Sequence, residues 1–87
     1  MLYVYFLSNE GGSLYYGSTN DLKRRLAEHN TGKSASTKNH QWKLAYYEAY
    51  LSESDGRRRE KQLKSHGMAI AHLKKRISAS LKEISAG

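Results

Sequence analysis

Tyr15, Arg25 and His29 fall within the run YYGSTNDLKRRLAEHN, Tyr15 to Asn30. Arg25 and His29 are four apart, so a helix there puts them on one face. Farther on, Glu60 is embedded among Arg57, Arg58, Arg59, Lys61 and Lys64. These residue types suit phosphate chemistry. Phosphodiester cleavage needs an activated water, positive charge at the phosphate and a stabilised leaving oxygen. Arg25 offers a guanidinium fork, and His29 or a tyrosine could move a proton. Glu60 could hold Mg²⁺ or Mn²⁺, which favour oxygen ligands. Each residue also has a plain structural reading. Glu60 pairs with Lys64 four residues on, Arg25 is a solvated surface arginine, and the tyrosines fill a small core.

Other chemistries find no support in the chain. There is no cysteine, so no disulfide and no thiolate site. His29, His40, His66 and His72 form no i, i+4 pair and no HExxH pattern, which argues against a histidine zinc site. No P-loop and no GxSxG elbow occurs. The longest apolar run, Leu2 to Leu7, is far short of the roughly 20 residues a membrane span needs. No basic segment precedes it as in a signal peptide, and a cytoplasmic protein without membrane attachment is expected. Fifteen Lys plus Arg against eight Asp plus Glu give a net charge of +7 over 87 residues. A field of that sign attracts phosphate polymers. Seven tyrosines could stack on bases or simply build the core.

The elements that must position these residues can be read in order. LYVYFL, from Leu2 to Leu7, is β-branched and aromatic and predicts a strand. Leu2, Val4 and Phe6 share one face, and Tyr3, Tyr5 and Leu7 the other. SNEGGS is a turn, and LYYG a second strand of the same hairpin. An odd loop places Tyr5 directly across from Tyr15; an even loop sends Tyr15 to the other face. Asn20 or Asp21 caps a helix running to about His29, with Leu22 and Leu26 toward the core and a stop at Asn30 and Gly32. GKSASTKNHQ is a basic loop. WKLAYYEAYL predicts a third strand with Trp42, Leu44, Tyr46, Glu48 and Tyr50 on one face. A polar helix follows from about Asp55 to Ser65, with Leu63 its one good core residue. Ile70, Leu73, Ile77, Leu81 and Ile84 predict a single amphipathic helix over Met68 to Ser85. The chain, residues 1–87, reads as one α+β domain of order β-β-α-β-α-α.

YVY at Tyr3–Tyr5, YYG at Tyr15–Gly17, then Arg25, His29 and Glu60 in that order resemble the GIY-YIG nuclease superfamily. The likeness is greatest to small standalone bacterial members related to the catalytic N-terminal domain of the excision-repair nuclease subunit. It covers residues 2–65. It implies a small three-stranded antiparallel sheet flanked by helices and a metal-dependent endonuclease acting on DNA. Tyr5 would be the general base, or would orient a nucleophile that the metal generates. Tyr15 would position the water or phosphate. Gly17 would let the backbone turn beneath the site, and Arg25 would stabilise the phosphate and leaving group. His29 would assist proton transfer or bind phosphate, and Glu60 would be the single protein ligand of Mg²⁺ or Mn²⁺. Both motif tyrosines belong to one site in the family, which selects the odd hairpin register. An unperturbed tyrosine, with a pKa of about 10, is a poor base unless nearby cations favour the phenolate, a bias that Arg25, the metal on Glu60 and the net charge of +7 could supply.

Several positions depart from the family pattern. Tyr3 stands for glycine, Val4 and Tyr16 for isoleucine, and Ser18 where some repair members have lysine. All four asparagines, Asn9, Asn20, Asn30 and Asn39, precede Glu60, whereas many members carry one after it; Ser80 is a candidate replacement. Lys23, Arg24, Lys33, Lys38, Arg57, Arg58 and Lys61 are expected to hold the duplex, with a protein partner as a source of specificity. Repair, genome defence and mobile elements are the settings such nucleases serve. A binding module that keeps the fold without turnover is the alternative. A small protein with a basic surface for an acidic partner is a third reading.

Overall fold

The computed structural model describes residues 1–31 and 40–86. Lys33 and Lys38, two of the expected DNA contacts, and Gly32 lie outside the described residues. Strands β1 (Leu2–Asn9), β2 (Leu14–Thr19) and β3 (Trp42–Tyr50) form one antiparallel sheet ordered β2-β1-β3. Helix α1 (Leu22–Asn30) follows β2; α2 (Glu53–Ser65), α3 (Gly67–Arg76) and α4 (Ser78–Ala86) follow β3. This is the expected α+β class with a three-stranded sheet. None of the helices is long and apolar enough, among the described residues, to cross a membrane.

The apolar residues of β1 divide between two cores, as their alternation predicts. Val4 and Phe6 pack with Leu63 of α2, Leu73 of α3 and Ile77. Tyr5 and Leu7 pack on the other face with Trp42, Tyr15 and the α1 residues Leu22 and Leu26. The central strand is therefore covered on both faces, with α1 on one side and the other helices opposite. Asn9 shapes the first turn: its Oδ1 accepts from the backbone N–H of Gly11 and of Ser13, both at 3.0 Å. Gly12 takes the left-handed conformation there, at φ 82°, which a side chain would strain.

The hairpin register keeps Tyr5 and Tyr15 on one face but does not set them directly opposite. Tyr5 faces Gly17, and Tyr15 faces Leu7, because the pairing is centred on Gly11, one residue later than a direct Tyr5–Tyr15 pairing requires. Gly17 is accordingly inside β2 and not at a turn. In β3 the expected single face is broken. Phe6 pairs with Tyr46 but Leu7 pairs with Leu44, so Ala45 is an extra residue and the alternation flips. Trp42 thereby joins the α1 side, while Tyr46 and Tyr50 stay on the α2 side.

Asp21 is the observed cap of α1, its Oδ1 accepting from the Arg24 N–H at 3.1 Å. At the far end, Asn30 clasps β3: Oδ1 accepts from the Trp42 N–H at 2.6 Å and Nδ2 donates to the Trp42 carbonyl at 2.9 Å. The expected last helix is interrupted at Ile77, whose φ of −110° closes α3 before α4 begins. Its apolar spacing survives the break because Ile77 itself stays in the core. Helix α2 starts two residues earlier than expected, at Glu53. Polar on most of its surface, it is held to the sheet by an ion pair between Arg59 and Glu48, with Nε to Oε1 at 3.0 Å and Nη2 to Oε2 at 3.1 Å.

Candidate active site

Tyr5 stands at the meeting point of β1, β2 and α1. Its hydroxyl lies 3.0 Å from His29 Nε2 and accepts from Arg25 Nε at 3.3 Å. Arginine can only donate, and in the His29 tautomer whose Nε2 is unprotonated the phenolic hydrogen bonds to that nitrogen. Tyr15 packs on the same imidazole, with ring centroids 4.7 Å apart, and lies 6.5 Å from the Tyr5 ring. Arg25 is steadied from its other side by Glu28, at 3.1 Å from Nη1. The one-turn spacing on α1 thus brings Arg25 and His29 to the same hydroxyl.

Gly17 makes this possible. A Cβ there would sit 3.0 Å from the Tyr5 hydroxyl and 3.3 Å from Cζ. The phenol lies across β2 through the space that a side chain would fill. Because His29 and Arg25 pin the hydroxyl, the ring cannot yield cheaply. Gly17→Ala is expected to cost about 1 kcal/mol or more through overpacking and to lower any cleavage activity; thermal unfolding and a nicking assay check both.

Arg25 by itself is not enough to favour the Tyr5 phenolate. Burial raises the Tyr5 pKa, and the hydrogen bond and charge of Arg25 only partly oppose it. The phenol is therefore protonated at neutral pH, because desolvation of the charged form outweighs the cation beside it. His29 moves the other way. Burial lowers its pKa, Arg25 lowers it further, and Glu28 opposes. The imidazole is thus neutral beside a protonated phenol.

Glu60 bonds to β2 from the other face of the sheet. Ser18 pairs with Val4, and its hydroxyl donates to Glu60 Oε1 at 2.5 Å. On the edge strand β2, Ser18 follows Gly17, the residue against which the Tyr5 hydroxyl lies. Its charge adds to the raising of the Tyr5 pKa. Lys64 lies 3.1 Å from Oε2 and Arg57 3.7 Å from Oε1. Burial raises the Glu60 pKa, but Ser18, Lys64 and Arg57 outweigh it and the net shift is downward. The helical ion pair expected from the spacing is present, and the Ser18 bond, between residues 42 apart, had no local signal.

The donor set fits a hard divalent cation held by one carboxylate. Glu60 is ionised, and Ser18 fixes one of its oxygens. Mg²⁺ commonly takes one or two carboxylates and completes its shell with water and phosphate. No group of three candidate ligands exists among the described residues, so any such site rests on Glu60 with non-protein ligands. Of the expected DNA contacts, Lys23, Arg24, Arg57, Arg58 and Lys61 are exposed. Arg57 also donates to Ser18 at 2.9 Å, and Arg58 lies 3.6 Å from Asp55. Ser80 is elsewhere, in a hollow with Leu44, Ala45 and Ile84 at the β3 bulge.

Comparison with known proteins gives one family. A family model described as the GIY-YIG catalytic domain matches residues 1–75. The UPF0213 protein of Streptococcus agalactiae is 45% identical over 60 residues, 67% of this chain and 68% of its own length. Its counterpart in Staphylococcus haemolyticus is 40% identical over 65 residues, covering 72% and 79%. The one in Bacillus pumilus is 37% identical over 65 residues, covering 72% and 66%. No solved structure matches the chain.

Proposed function

This chain belongs to the GIY-YIG catalytic domain family, and from that premise we propose that it is a metal-dependent endonuclease hydrolysing phosphodiester bonds in DNA. The observation that carries the reading is the Tyr5 hydroxyl, bonded to both His29 and Arg25 at 3.0 and 3.3 Å. Members of the family are generally nucleases.

The chain's own residues divide the work as follows. His29, neutral and buried, takes the Tyr5 proton as Tyr5 removes one from the attacking water. This relay answers the raised Tyr5 pKa, since no free phenolate need accumulate. Tyr15 packs on His29 and lines the approach of the water or phosphate. Arg25 keeps its charge at the phosphate oxygens. Glu60 would hold Mg²⁺ or Mn²⁺, which supplies further positive charge to the phosphate and leaving oxygen when bound. Lys23 and Arg24 on α1 and Arg57, Arg58 and Lys61 on α2 flank β2 from opposite faces and hold the backbone of the duplex. Lys33 and Lys38 belong to the same proposed contact set.

A second reading, a binding module without turnover, is favoured by one observation: Glu60 already meets Ser18, Lys64 and Arg57. Supercoiled-plasmid nicking with Mg²⁺ or Mn²⁺ separates the two. The endonuclease reading expects nicking by the wild type and a loss of about 10²–10³-fold in folded Arg25→Ala. Salt-sensitive DNA binding with no cleavage under either metal would establish the module instead.

A further inference from the structure

The two oxygens of Glu60 have unlike partners. Oε1 is held by Ser18 at 2.5 Å, a short side chain on a paired strand. Ser18 is itself fixed, its Oγ accepting from Arg57 Nη1 at 2.9 Å. Oε2 meets Lys64 Nζ at 3.1 Å. Lys64 is a long side chain, 59% exposed, against 15% for Glu60. One oxygen is therefore anchored by the sheet, and the other is covered by a group that loses little by leaving. The lysine end of the pair is exposed, so solvent screens its attraction and replaces the contact when it leaves. An ammonium and a divalent cation seek the same feature, a charged carboxylate oxygen, and Lys64 meets this one from an exposed position.

We propose that Lys64 is a displaceable stand-in for the divalent cation on Glu60 Oε2, and that Ser18 positions the carboxylate through Oε1. The proposal rests on the reading of Glu60 as the metal-holding residue. Cation entry then exchanges one positive partner for another, with the carboxylate kept in place by the strand. The Lys64 ammonium swings into solvent without leaving a buried charge behind. The same pair thus raises the metal concentration at which Glu60 is half occupied.

Mn²⁺ titration of the full chain, with free ion read by electron paramagnetic resonance, tests this. Lys64→Met is expected to bind Mn²⁺ roughly two- to fivefold more tightly than wild type. Lys64→Arg should stay near wild type, because it keeps the competing cation. Lys82→Met, the same charge loss at an exposed position on α4, should change nothing. Ser18→Ala should weaken binding. Unchanged or weaker binding by Lys64→Met, or equal tightening by Lys82→Met, overturns the competition. Wild-type affinity in Ser18→Ala overturns the positioning role. If Glu60→Gln abolishes binding while Lys64→Met has no effect, the metal reading stands and this proposal alone falls. If Glu60→Gln binds like wild type, or no variant shows saturable binding, both fall.

Discussion

Tyr5→Phe is expected to lower the cleavage rate by about 10²–10⁴-fold, the range for loss of a positioned proton-transfer group. Phenylalanine keeps the ring that packs between Leu7, Tyr15 and Trp42 and removes only the hydroxyl that His29 and Arg25 share. The fold should survive with a loss of about 1–3 kcal/mol, since each partner loses its bond to that oxygen. Single-turnover nicking and thermal unfolding measure the two effects separately. The wild-type pH profile supplies an independent check. His29 must be neutral to accept, and its pKa lies below the ordinary value of 6.5. The rate should stay flat through neutral pH and fall only on the acid side of about 6.5. Stability moves in the same direction. Between the lowered folded pKa and about 6.5 the unfolded chain binds more protons, so stability falls as pH drops through that window and levels off below it. An acid limb above 6.5, or a Tyr5→Phe enzyme with near-wild-type turnover, would defeat the relay.

What could be read from the sequence was set by local chemistry. The strand character of Leu2–Leu7, the Asp21 cap, and the one-turn spacing of Arg25 and His29 follow from neighbouring residues, and the structure contains all three. The odd hairpin parity followed from needing Tyr5 and Tyr15 on one face. The exact offset did not, because it depends on how Asn9 and Gly12 close the turn. Ala45 carries no mark of a bulge; the flip arises from matching Trp42 to the α1 side and Tyr46 to the α2 side at once. Ile77 continues the apolar period, so nothing local announces the break between α3 and α4. The upward shift of the Tyr5 pKa was not legible for the same reason. Arg25 is visible at a distance of 20 residues, but burial is a property of the packed core. Ser18 was read against the family's lysine, and its bond to Glu60 appears only when β2 and α2 come together.

Arg59→Met is expected to be the most damaging single change to stability, by about 3 kcal/mol. Glu48 accepts from the Tyr46 hydroxyl at 2.9 Å, the Tyr50 hydroxyl at 2.5 Å and two Arg59 nitrogens at 3.0 and 3.1 Å. The Arg59 and Glu48 side chains are only 20% and 16% exposed, so removing the cation strands a largely desolvated carboxylate. The two tyrosines remain donors, which keeps the cost at the lower end of the buried-pair range. Tyr50 is pushed up to about 12 by burial and by Glu48 and stays protonated throughout. For a domain of this size the loss should lower the thermal midpoint by more than about 10 °C. The acid response should change too. Burial raises the Glu48 pKa, but Arg59 leads the groups that bring it below its ordinary value. That contribution to stability is present above about 4.5 and is lost as pH falls through the folded pKa. Arg59→Met should therefore flatten the acid slope as well as lower its plateau. A cycle with Glu48→Gln should show coupling above about 0.5 kcal/mol. Arg59 directly precedes Glu60 on α2, so the same clasp that ties the helix to β3 sets the direction in which Glu60 faces β2. A loss below about 1 kcal/mol, with additive variants, would mean that apolar packing at Leu63 holds α2 without it.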